Sequence, residues 1–106
     1  MEQNPLDHLF SIIESRRNAD AGQSYTALLL ARGRLQCAKK LGEEAIETAL
    51  AAMTEDNAAV VRESSDLLYH LLVLWVACGI EPAQIYAELR AREIRSGLEE
   101  KAARGG

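Results

Sequence analysis

Residues 34–54 read RLQCAKKLGEEAIETALAAMT and residues 58–78 read AAVVRESSDLLYHLLVLWVAC, separated only by Glu55-Asp56-Asn57. At about 100° per residue, Leu35, Ile46 and Met53 fall within about 20° of one another on a helical wheel, which predicts a core stripe along the first segment. In the second, Val60, Val61, Leu67, Leu68, Leu71, Leu72, Leu74 and Trp75 cover well over half of the circumference. A helix that apolar must be central in the fold, in a subunit interface, or both. Asp56 or Asn57 can cap the second segment, and Gly79 ends it. Two long helices joined by so short a break form a hairpin.

Outward from this hairpin the punctuation stays helical. Asn4-Pro5 opens a first helix, with Leu6, Leu9, Phe10 and Ile13 at helical spacing to about Arg17. Residues 18–23 are a polar break, and Ser24 caps a short second helix that stops near Gly33. Pro82 opens a fifth helix to about Arg95, with Ile85, Leu89 and Tyr86 facing inward. The tail from Gly97 is polar and ends Gly105-Gly106, where fraying is expected. No strand-like alternation occurs, and aromatics are only 5% of the chain with just 2 prolines, which favours helix over sheet. The expected fold is all-α: an antiparallel bundle of about five helices in one domain spanning residues 1–106.

A 106-residue chain buries only roughly two-thirds of its unfolded surface, so a bundle of this size gains from oligomerising. The net charge of −4 gives no general attraction to nucleic acid or anionic membranes. Phosphate ligands stay possible, because a metal ion can supply positive charge. Cys37 and Cys78 lack metal-ligand spacing and sit in apolar helical patterns, as small core residues do. The N-terminus lacks a basic-then-apolar secretory pattern, and the run from Leu71 to Ile80 is half of the ~20 residues needed to span a bilayer. These features point to a cytoplasmic protein outside the membrane.

The chemistry lies in the acids. Glu43, Glu44 and Glu47 share one arc of the third helix, and Glu63 and Asp66 share one face of the fourth. The 15 residues between Glu47 and Glu63 suffice to finish one helix, turn and start back, so the two acidic faces can meet. Like charges at these spacings repel by a few tenths of a kcal/mol per pair even on an isolated helix. A divalent cation removes that penalty, and Mg²⁺ prefers oxygen ligands and bridges to phosphates. Taken singly, each acid group reads as a solvated helix face or as macrodipole compensation; together, in this order, they point to a metal.

Glu-Glu-x-x-Glu, a gap of 15 residues and Glu-x-x-Asp resemble the all-α NTP pyrophosphohydrolase superfamily that includes MazG and the dimeric dUTPases. Ser24-Tyr25-Thr26-Ala27, the stretch from Lys40 to Thr48, the segment from Glu63 to Leu72 and the tail from Ser96 to Ala102 are similar to the phosphoribosyl-ATP pyrophosphohydrolase family, from about Leu6 to Arg104. The resemblance implies hydrolysis of phosphoribosyl-ATP to phosphoribosyl-AMP and pyrophosphate, the second step of histidine biosynthesis. It also implies Mg²⁺ and a homodimer that completes the bundle. Carried onto this chain, it makes Glu44, Glu47, Glu63 and Asp66 the metal ligands, and Glu43 a further ligand or the group that orients the attacking water. Lys40 becomes a phosphate contact, while Ser24, Tyr25 and Thr26 line a substrate pocket at a helix N-terminus. Many relatives carry lysine where this chain has Leu28; that contact is either absent or supplied by Arg32 or Arg34.

His70 lies one turn beyond Asp66, where it can bond a ligand carboxylate, touch substrate or serve as an ordinary core histidine. Tyr69 and Trp75 read as core or interface, His8 as surface, and Arg90, Arg92 and Arg95 as a solvated face. Two other functions compete: a house-cleaning dNTP pyrophosphohydrolase of the same superfamily, and a non-catalytic helical interaction or metal-storage protein. A di-iron bundle is disfavoured because Glu-x-x-His occurs nowhere in the chain.

Overall fold

Capping chemistry sets the helix boundaries in the computed structural model, which describes residues 4–103. Five helices run in order: α1 Pro5–Ser15, α2 Tyr25–Arg32, α3 Arg34–Thr54, α4 Asn57–Cys78 and α5 Pro82–Ala103. The side chains of Asn4, Ser24 and Asp56 accept from the backbone N–H groups of Asp7, Ala27 and Ala59, closing the open first turns of α1, α2 and α4. At the far end of α4, Gly79 takes a left-handed φ of 73° and returns its N–H to the Trp75 and Val76 carbonyls. Gly33, at φ 92°, is the single residue joining α2 to α3, a backbone conformation that any side chain would strain.

The hairpin is antiparallel: early α3 meets late α4 where Arg34 Nε donates to Cys78 Sγ at 3.0 Å, and late α3 meets early α4 where Thr48 approaches the Glu63 carbonyl. α1 lies against α4, while α2 lies against both long helices. The core gathers where these elements converge, around Phe10, Ile13, Leu29, Cys37, Leu72, Val73, Trp75 and Val76. Leu72 and Val73 are fully buried, each contributing on the order of 1.5–3 kcal/mol of transfer free energy. The central position of α4 explains much of its apolar breadth, while Val61 and Leu68 stay exposed.

Three expectations need correction. The Leu35, Ile46 and Met53 stripe of α3 faces outward, at 85%, 63% and 83% exposure, while Cys37 and Ala51 are the buried residues of that helix. Periodicity finds the apolar face of a helix but not which chain covers it. The fifth helix continues through Gly97 to Ala103, and Leu89 is exposed rather than inward. Among the described residues, α5 is anchored at its start, by Ile85 against the core and by the Tyr86 hydroxyl donating to Asp7 Oδ1 at 2.9 Å. The expected fraying of Gly105-Gly106 lies outside the described residues.

No single helix among the described residues is long and apolar enough to cross a membrane. The radius of gyration is 17.1 Å, against about 13 Å for a compact domain of this length.

Candidate active site

α3 and α4 bring their acids together midway along the hairpin. Glu44, Glu63 and Asp66 each offer a carboxylate oxygen, and the three oxygens lie within 4.8 Å of one another. Glu47, one turn along α3, borders this cluster, close enough to Glu44 and Glu63 to act on their protonation. Glu43 is turned aside: its Oε2 lies 3.6 Å from Lys40 Nζ, an i,i+3 pair on the rim.

The electrostatics are those of carboxylates lacking a counter-charge. Burial, reinforced by Glu47, pushes the Glu44 carboxyl above its ordinary range. Burial, then Glu47 and Asp66, does the same to Glu63. Glu63 Oε2 is enclosed without any hydrogen-bond partner. Natural folds leave few such atoms, and a carboxylate oxygen in that state suits a cation. An all-oxygen donor set is what a hard divalent ion prefers, so the residues present fit Mg²⁺.

Register is set by Thr48. Its hydroxyl lies 2.8 Å from the Glu44 carbonyl within α3 and 3.2 Å from the Glu63 carbonyl across the hairpin, so it ties the helices together at the level of the acids.

The N-terminus of α2 abuts the same face. The Ser24 hydroxyl oxygen is used as the helix cap, 3.1 Å from the Ala27 N–H. The Thr26 hydroxyl hydrogen bonds the Tyr69 hydroxyl, joining α2 to α4. Tyr25 is half exposed, its ring roughly parallel to Tyr69 at 6.5 Å and edge-on to His70 at 6.2 Å. The Tyr25 phenol, followed by the Glu43 carboxylate, holds the Lys40 ammonium above its ordinary value. His70 is buried, with Nε2 3.9 Å from Glu44 Oε1. Burial, then Lys40, lowers its basicity.

A match to the sequence profile of the phosphoribosyl-ATP pyrophosphohydrolase family covers residues 6–93. The chain belongs to the phosphoribosyl-ATP pyrophosphohydrolase family. It is 60% identical over 104 residues to the phosphoribosyl-ATP pyrophosphatase of Parvibaculum lavamentivorans, covering 98% of this chain and 95% of that one. Identity is 56% to the enzyme of that name from Azorhizobium caulinodans and 52% to that from Paramagnetospirillum magneticum, in each case over 93% of this chain and 91% of the relative. The family match spans every acid of the cluster and the whole of α2.

Within this phosphoribosyl-ATP pyrophosphohydrolase fold, the structure refines the residue set read from sequence. Glu44, Glu63 and Asp66 converge, Glu47 flanks them, and Glu43 pairs with Lys40. Arg34, a candidate substitute for the lysine replaced by Leu28, is engaged with Cys78 at the opposite end of α2. Nearby, a cleft of about 500 Å³ opens between Arg17, Gly33, Arg34 and Cys78 and contains none of the acids. Arg17 Nη2 donates to the Val76 carbonyl at 2.6 Å, so it caps the C-terminal end of α4. Sequence reasoning passed over Thr48, read Tyr69 as core or interface, and left His70 with three possible roles. The available signal was spacing: Thr48 follows Glu44 by one turn, and His70 follows Asp66 by one turn.

Proposed function

We propose that this chain hydrolyses phosphoribosyl-ATP to phosphoribosyl-AMP and pyrophosphate, in the second step of histidine biosynthesis. The observation that carries this beyond family membership is the convergence of Glu44, Glu63 and Asp66 oxygens within 4.8 Å around an unpartnered Glu63 Oε2. Four carboxylates, Glu44, Glu47, Glu63 and Asp66, would hold Mg²⁺. When bound, that ion supplies the positive charge that lets a polyphosphate sit beside carboxylates and lets pyrophosphate leave.

The chain's own groups do the rest. Glu43 accepts a proton from the attacking water and orients it toward phosphorus, with Lys40 3.6 Å away holding the side chain in place. Lys40 also contacts a phosphate oxygen. Ser24 and Thr26 shape the pocket at the start of α2, whose free N–H groups favour an anion. The half-exposed ring of Tyr25 offers a face to the base.

We further propose that residues 1–106 form one domain working as a cytoplasmic homodimer, with neither nucleic acid nor membrane as a partner. Leu35, Ile46, Leu50 and Met53 of α3 and Val61 of α4 are large apolar side chains left exposed, which a partner would cover. The radius of gyration and the sparse anchoring of α5 point the same way. A second copy laid on this face would complete the bundle.

A comparison of pyrophosphate release from phosphoribosyl-ATP and from a panel of dNTPs tests the substrate assignment. Clear preference for phosphoribosyl-ATP supports it; preference for a dNTP would give the chain a house-cleaning role instead.

A further inference from the structure

Among the described residues, two buried side-chain atoms lack a hydrogen-bond partner, and both lie at the acid cluster: Glu63 Oε2 and His70 Nδ1. The first is explained by a cation. The second belongs to an imidazole that is 6% exposed and hemmed in by Tyr25 and by Tyr69, whose ring centroid is 5.0 Å away. We propose that His70 is a positioning residue whose Nε2–H directs the Glu44 carboxylate into the cluster formed with Glu63 and Asp66. The proposal rests on Glu44 being a metal ligand.

The imidazole carries a proton on one ring nitrogen or on both, and any form with a proton on Nδ1 buries an N–H that has no partner. A proton on Nδ1 would leave a buried donor unsatisfied while Nε2 presented a lone pair to the Glu44 carboxylate, which repels it. A proton on Nε2 faces that carboxylate and leaves only an acceptor unmet, the smaller cost. The second tautomer is therefore the one the surroundings select. At 3.9 Å from Glu44 Oε1, Nε2 is about 1 Å beyond hydrogen-bond length. Rotation about the broad terminal torsion of Glu44 is the movement that would close such a gap. The edge contacts from Tyr25 and Tyr69 keep the ring from turning away. A histidine orienting a metal-ligating carboxylate preorganises the site, and removing a partner of this kind weakens metal binding by about 10–100-fold.

The test is Mn²⁺ binding, measured by calorimetry on metal-free wild-type protein and on the H70Q, H70N and H70A variants, with circular dichroism confirming helix content. Glutamine places an amide N–H near the Nε2 position and asparagine near Nδ1. H70Q should bind Mn²⁺ within about 3-fold of wild type, and H70N and H70A about 10–100-fold more weakly. Equal affinity in all four proteins, or equal losses in H70Q and H70N, overturns the proposal. A nitrogen-15 spectrum of the wild-type imidazole needs no substitution: a proton on Nε2 is expected, and one on Nδ1 overturns it. Failure of wild-type protein to take up Mn²⁺ defeats the metal assignment itself, a separate result from a wrong tautomer.

Discussion

Thr48 and Glu63 meet across the α3–α4 hairpin, the threonine hydroxyl 3.2 Å from the glutamate's backbone carbonyl. That contact joins α3 to α4 at the level where Glu44 stands opposite Glu63. The same hydroxyl lies 2.8 Å from the Glu44 carbonyl, so its single proton serves one helix or bridges both. Replacing Thr48 with valine removes the bridge while keeping the branched shape. Urea unfolding should show T48V destabilised by about 1 kcal/mol, and T48S close to wild type. Divalent-ion affinity should fall in T48V and hold in T48S.

Substitution within the cluster should separate activity from folding. Glu44→Gln and Asp66→Asn each remove a ligand charge while keeping a similar shape, and both relieve repulsion among neighbouring carboxylates. Pyrophosphate release should fall by at least about 100-fold in each, and thermal melts of the metal-free variants should match or exceed wild type. Full activity in either variant would defeat the site assignment.

Protonation gives a signature with a definite sign. Burial and neighbouring acids raise the Glu44 and Glu63 carboxyls above 4.5 in the folded chain, so in that window the native state binds more protons than the unfolded one. Their contribution is fully present below the unfolded value and is lost as pH rises through the raised folded values. His70, lowered by burial, acts oppositely: its contribution is present above 6.5 and lost as pH falls through its folded value. The clean measurement is therefore a difference. In chelator, wild type should lose melting temperature relative to a Glu44→Gln, Glu63→Gln double variant as pH rises from about 4.5 toward neutrality, and saturating Mg²⁺ should abolish that loss.

Leu50 and Met53 lie on the outward face of α3, at 56% and 83% exposure. In the proposed homodimer a second copy covers this face, so Leu50→Glu with Met53→Glu should convert a dimer to a monomer in sedimentation equilibrium. A monomeric wild-type protein at micromolar concentration would contradict the dimer. The substitutions should leave helix content unchanged, since neither side chain belongs to the core.

Legibility in the sequence followed the range of the interaction. Helix starts at Asn4-Pro5, Ser24 and Asp56, and the stop at Gly79, were readable because a cap involves only neighbouring residues. The acid arcs were readable for the same reason, since Glu44 and Glu47 share a face through the geometry of one helix. Which acids converge across the hairpin was not readable. That depends on the rotation of α3 against α4, set by small buried contacts such as Cys37, Ala51 and Ala59 and by the Thr48 bridge. The Leu35, Ile46 and Met53 stripe misled for a related reason: apolar periodicity reports that a face is apolar, and none of the described residues covers this one. The end of α5 was placed too early because Gly97 and a polar composition look like a stop, yet the helix runs on to Ala103.

A Mg²⁺ titration of pyrophosphate release from phosphoribosyl-ATP, starting from protein stripped by a chelator, tests the central claim most directly. Release should be undetectable without the ion, recover saturably as it is added, and fail to recover in Asp66→Asn at the same concentrations. Full turnover in the stripped protein, or equal recovery in that variant, would contradict it.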